Sequence, residues 1–126
     1  MSVESKTECV AVLGASENPE RYSYKAWKAL EKHGHKVFLV NPKYDEIEGT
    51  VCYPSVTRLP QQIDSLTVYL NANMTTNMKQ DIISSKTKRV IFNPGSENPE
   101  LMKALDQEGV ITEQACTLVL LSTGQF

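Results

Sequence analysis

The run Cys9-Val10-Ala11-Val12-Leu13-Gly14-Ala15-Ser16 decides the fold. Its continuous apolar part shows no polar alternation, which describes a strand buried on both faces, and Gly14 stops it. Ser16-Glu17-Asn18-Pro19 then supplies residues that favour the start of a helix. Tyr22, Ala26, Ala29, Leu30 and His33 share one helical face, and Gly34 offers the left-handed residue that ends a helix. A second strand follows at Val37 to Val40, cut by Asn41-Pro42. Together these make one β-α-β unit of about thirty residues, long enough for a right-handed parallel crossover.

The same alternation runs outward to the carboxyl end. Leu66 to Leu70 reads as a strand, Met74, Met78 and Ile82 as one helix face, and Arg89 to Phe92 as a strand again. Asn98-Pro99 opens a helix whose inner side is Leu101, Ala104 and Leu105; Gly109 closes it, and Val110 to Thr112 forms a fifth strand. From Lys43 to Gln62 the pattern is irregular, with Gly49, Pro54 and Pro60 and a weak strand signal at Val51 to Tyr53. The expectation is α/β: three layers, doubly wound, with a five-stranded, mainly parallel sheet. Residues 1–126 read as a single domain with a polar amino-terminal tail, Met1 to Glu8.

Composition removes several function classes. The 126 residues carry a net charge of −2, so there is no basic field to neutralise a nucleic-acid backbone. The longest strictly apolar run is Cys9 to Leu13, with Leu118 to Leu121 among the next, whereas a membrane helix needs about 20 residues. The cysteines Cys9, Cys52 and Cys116 are odd in number and lack zinc spacing, which points to a reducing cytoplasm and away from disulfides or a metal.

The chemistry concentrates in the turns that follow strands. Gly14-Ala15-Ser16 lets backbone N–H groups approach an anion, and the helix N-terminus adds partial positive charge. The dinucleotide fingerprint G-x-G-x-x-G is not met, because Ser16 and Pro19 stand at its second and third glycines. After strand two comes Val40-Asn41-Pro42-Lys43, a lysine where NAD sites carry an acidic residue. A ligand with a phosphorylated adenosine ribose fits better than NAD, and both NADP and coenzyme A qualify. Ser16-Glu17-Asn18-Pro19-Glu20 recurs as Ser96-Glu97-Asn98-Pro99-Glu100, which reads as one capping solution used twice, or as two turns on the same ligand-binding edge.

His33 and His35 flank a helix end, where an imidazolium complements the helix dipole. Cys116 reads as a small buried hydrophobe or, from its place in a sheet-edge loop, as a reactive thiol. Trp27 reads as partly core or as a subunit contact. No nucleophile elbow, P-loop or zinc-protease motif occurs. The apolar tail from Thr117 to Phe126 either packs on its own domain or closes a homodimer.

Val10 to Ser16, Pro19-Glu20-Arg21-Tyr22-Ser23-Tyr24, Gly34, Val40 to Lys43, Ile47-x-Gly49, Tyr53 and Pro94-Gly95 resemble the small stand-alone CoA-binding proteins. These are similar to the amino-terminal CoA-binding domain of the succinyl-CoA synthetase α subunit. The resemblance covers roughly Cys9 to Cys116 and implies a Rossmann-like domain without the ligase domains. It implies that Gly14, Ala15 and Ser16 line the pyrophosphate, with Arg21 and Tyr24 nearby, and that Asn41, Pro42 and Lys43 face the 3′-phosphoadenosine end; the residues themselves add Ser16 and Asn18 as side-chain donors at the first turn. Asn93, Pro94 and Gly95 would border the pocket. Two departures stand out: Ile91-Phe92-Asn93-Pro94-Gly95 replaces a frequent Trp-x-Gln-x-Gly, and Gln114-Ala115-Cys116 replaces an Asp-Arg-Cys element.

The function expected is binding of coenzyme A or an acyl-CoA without catalytic chemistry, with an apolar slot for adenine. The alternatives are a small NADP-binding oxidoreductase or redox sensor, and an interaction subunit with a vestigial nucleotide pocket.

Overall fold

The computed structural model describes residues 7–126. Strand β1 (Cys9–Leu13) leads to helix α1 (Tyr22–Lys32) and strand β2 (Lys36–Val40), the expected first unit. A hairpin follows, β3 (Glu46–Ile47) and β4 (Thr50–Tyr53), then β5 (Ser65–Val68). Helices α2 (Ala72–Thr75) and α3 (Lys79–Ser84) lead to β6 (Arg89–Phe92), α4 (Pro99–Gln107), β7 (Ile111–Gln114) and α5 (Thr117–Ser122). The expected tail lies, through residue 6, outside the described residues; Glu8 accepts a backbone hydrogen bond from Lys36 N–H at 3.0 Å.

The sheet has seven strands in the order β3-β4-β2-β1-β5-β6-β7, not five. Every pairing is parallel except β3 with β4. The extra strands have two and four residues; β4 accounts for the weak signal at Val51 to Tyr53, and β3 is too short to show a period of its own. Their turn is Glu48-Gly49, both at positive φ, 52° and 79°, the primed geometry that suits a twisted hairpin. Glu48 is pinned there by the Tyr24 hydroxyl at 2.6 Å and the Lys28 ammonium at 3.0 Å.

Alternate residues of β1 feed two cores, as a strand covered on both faces must. Ala11 and Leu13 face Ile82, Leu101 and Leu105 on the α3–α4 side. Val10 and Val12 join Trp27, Leu30 and Leu121 on the α1–α5 side. The apolar tail is thus a helix laid on its own domain. Two helical faces differ from expectation. In α1 the buried positions are Ser23, Ala26, Trp27 and Leu30, rotated by one residue because the large indole takes the inner place and leaves Tyr22 at 68% exposure. The Met74–Ile82 face is broken between α2 and α3, where Thr76 bonds back to the Ala72 carbonyl at 2.7 Å, a competing interaction that Thr side chains offer the backbone.

Candidate functional site

Three strand-to-helix turns, after β1, β5 and β6, the turn that leads from β2 into the hairpin, and the start of α5 meet at the carboxyl edge of the sheet and enclose a cleft of about 650 Å³. The β1 turn is held in place by Gly14, at φ 96°. Its N–H donates to the Val40 carbonyl at 2.9 Å, and a Cβ there would lie 3.0 Å from Leu70 and 3.3 Å from the Tyr69 backbone. Only glycine combines that backbone angle with so close an approach. The β2 turn is stapled to it by Asn41, whose amide donates to the Ala15 carbonyl at 2.8 Å and accepts from Lys43 N–H at 2.9 Å.

The repeated pentapeptide is used in two different ways. In the second copy Asn98 caps α4, accepting from Leu101 N–H at 3.1 Å, with Pro99 in the first turn. In the first copy Ser16 accepts from Asn18 N–H and Asn18 from Glu20 N–H, at 3.1 and 2.9 Å. The chain therefore runs on, and α1 begins only after Arg21, with no side-chain cap. Its opening residues Arg21, Tyr22 and Ser23 line the cleft. A helix N-terminus left without a capping side chain has N–H groups free for an anion.

Charge agrees with this geometry. Arg21 and Lys43 line the cleft and, among the described residues, no carboxylate does, although the chain as a whole is at −2. The far wall is built differently. Asn93 is 2% exposed; its amide donates to Thr67 Oγ1 at 2.7 Å and the Val68 carbonyl at 3.0 Å and accepts from Thr117 N–H at 2.8 Å. The Thr67 and Thr117 hydroxyls bond each other at 2.8 Å. Burial pushes the neighbouring Tyr69 phenol up to about 12, against hydrogen bonds with Thr67 and Thr117 that favour ionisation.

Of the residues singled out from sequence, Gly14, Ala15, Ser16 and Arg21 line the cleft on one side, Asn41 and Lys43 at one end, and Asn93, Pro94 and Gly95 opposite. Asn18, Tyr24 and Pro42 do not line it. Asn18 is consumed by its own turn, Tyr24 is turned to Glu48, and Pro42 is exposed behind the β2 turn. Asn93 and Asn41 are framework: their amides are committed within the protein. Sequence reasoning missed Tyr69, Leu70, Asn71 and Met74 on the β5 turn, and Tyr44 and Leu118. Strand-turn-helix repeated a third time was the available signal for the β5 set. Cys116 also lines the cleft. His33 and His35 bond to the Ala29 carbonyl and to Glu8 N–H, at 2.8 and 2.9 Å. All three thiols are free. Among the described residues no side-chain cluster suits a metal, and no helix is long and apolar enough to cross a membrane.

An open, mostly parallel sheet with an electropositive cleft at its carboxyl edge defines a Rossmann-like domain. The CoA binding domain family matches residues 8–122, and the chain belongs to that family. It is 38% identical over 65 residues to the ADP-forming acetate–CoA ligase I of Archaeoglobus fulgidus, a match covering 52% of this chain and 10% of the ligase. The chain therefore matches only about a tenth of that enzyme's length. The small Bacillus subtilis protein YneT, itself uncharacterized, is 24% identical over 104 residues, 82% of this chain and 77% of its own. A crystal structure of another uncharacterized protein superposes with a TM-score of 0.91 at 36% identity, covering 97% of this chain and all of that one.

Proposed function

We propose that this protein binds coenzyme A, free or acylated, in the carboxyl-edge cleft and carries out no bond chemistry on it. The observation that carries the reading is the uncapped N-terminus of α1 beside Arg21 and Lys43, in a cleft without a carboxylate among its described lining residues. Such a wall suits a ligand with several phosphates. The pyrophosphate would take the N–H groups of the Gly14–Ser16 turn and of α1, with Arg21 beside it. Lys43, at the β2 end, would take the ribose phosphate, and the pantetheine arm would cross toward β5 and β6. From β2 to β6 is three strand spacings, about 14 Å. The fit rests on donors already oriented by the backbone and by Asn41. The coenzyme supplies a thiol for acyl transfer, and the protein supplies its position. Tyr69, held protonated at neutral pH, supports a binding role over a proton-transfer role.

Calorimetric titration with CoA, dephospho-CoA, NADP and NAD tests this. CoA is expected to bind most tightly, and loss of the 3′-phosphate to cost about tenfold, or ~1.4 kcal/mol. Lys43→Ala removes that difference while leaving dephospho-CoA affinity nearly unaltered. Tighter binding of NADP than of CoA would replace this reading with the dinucleotide one. Absence of heat with all four would overturn it in favour of a vestigial pocket.

A further inference from the structure

We propose that the cleft accepts thioesters of small uncharged acyl groups and discriminates against acyl groups that end in a carboxylate. The inference rests on the CoA reading above and adds to it the class of acyl group. Its basis is a change of chemistry along the cleft that follows the strand order. The β2 and β1 end carries Lys43 and Arg21, whereas the opposite end is walled by Leu70, Met74, Cys116 and Leu118. Among the described residues, that end has no cation.

Its polar atoms are largely spent. The Asn93 amide and the Thr67 and Thr117 hydroxyls satisfy one another, and Tyr69 beside them is held protonated by burial. The Gly95 N–H, which would otherwise be a free donor on the β6 turn, donates to the Glu97 carboxylate at 2.8 Å. That bond also places a negative charge beside the slot. Gln114, two residues before Cys116, has its amide against Met102 Sδ at 3.3 Å. A carboxylate entering here would lose water and find no cation to pair with, while the Glu97 charge behind the β6 turn repels it, and both effects oppose it. An uncharged acyl chain faces the reverse balance. Met74 is 51% exposed at the lip, and each methylene withdrawn from water against such a surface is worth about a fourfold gain in affinity.

Butyryl-CoA and succinyl-CoA share a four-carbon acyl chain and differ in the terminal carboxylate, so they isolate the effect. Titration of the full chain with CoA, acetyl-CoA, butyryl-CoA and succinyl-CoA is expected to show butyryl-CoA binding severalfold more tightly than CoA. Succinyl-CoA is expected about tenfold weaker than butyryl-CoA, a loss of ~1.4 kcal/mol. Met74→Lys, at an exposed position, supplies the missing cation and is expected to reverse the order of those two ligands. Equal affinity for both in the unaltered protein, or weaker binding of every thioester than of CoA, overturns the inference while the CoA reading stands. Failure of CoA itself to bind overturns both.

Discussion

Asn93 carries more of the site's frame than any residue that faces solvent. Its amide joins β5 to the first residue of α5, which has no capping side chain of its own. Asn93→Ala would strand the Thr117 N–H and remove a partner of Thr67 in a dry interior, where each unmet group costs roughly 1–3 kcal/mol. The expected loss is about 3 kcal/mol in urea unfolding, with CoA affinity falling because the Cys116–Leu118 wall loses its anchor. A loss below about 1 kcal/mol would show that the network is dispensable. Sequence reading reached Asn93 as a residue bordering the pocket but not as its strut, because its partners Thr67 and Thr117 lie 26 and 24 residues away. Gly14 was the opposite case. A glycine directly after a buried strand announces its turn, and the close approach of Leu70 and Tyr69 gives the physical reason.

Elements were legible where a single local cause sufficed. β1 is a continuous apolar run, β6 is one after Arg89, and α4 begins at an Asn-Pro cap. The β3–β4 hairpin was legible only as the weak signal at Val51 to Tyr53, because β3 is too short for a pattern and the turn is held by Tyr24 and Lys28 of a distant helix. The cap of α1 is the instructive error: the helix begins at Tyr22 as the apolar pattern implies, but the pentapeptide that caps α4 spends itself on a local turn before α1. Arg21, with extended backbone at φ −77° and ψ 141°, holds the N-cap position, and Asp there would accept from the first-turn N–H groups. Arg21→Asp is therefore expected to raise the stability of the unliganded protein by about 1 kcal/mol. It should also weaken CoA binding by tenfold or more, because it removes a cation and occupies the donors. Thermal unfolding without ligand and titration with CoA give the two readings. Movement of both in the same direction would show that the helix terminus does not hold the phosphates.

At the scale of the whole molecule the two edges of the sheet divide the labour: the carboxyl edge is open around the cleft, and the amino edge is tied shut. Arg89, at the start of β6, donates to Ser65 Oγ at 2.9 Å, pairs with the Glu8 carboxylate at 3.2 Å and lies 4.5 Å from the centre of the Phe126 ring. The other face of this clamp is His35, 5.0 Å from Phe126, whose Nδ1 accepts from Glu8 N–H at 2.9 Å. That bond requires an unprotonated Nδ1. Burial holds His35 below its ordinary value, with His33 and Arg89 acting in the same direction and the Glu8 carboxylate opposing them. In the unfolded chain the imidazole takes up a proton at about pH 6.5, so its contribution is complete above that pH and is lost as pH falls through the lower folded value. Asp64, held low by the Cys9 N–H and Lys88, and Glu48, held low by Tyr24 and Lys28, add contributions that fade only below about pH 4. Acid unfolding should therefore have two stages, the first from His35 alone. His35→Asn offers a non-titrating acceptor to the same N–H, so urea midpoints measured from pH 8 to 4 should lose the first stage and keep the second. A slope between pH 6.5 and 5 that survives the substitution would show that the amino-edge clamp is insensitive to acid.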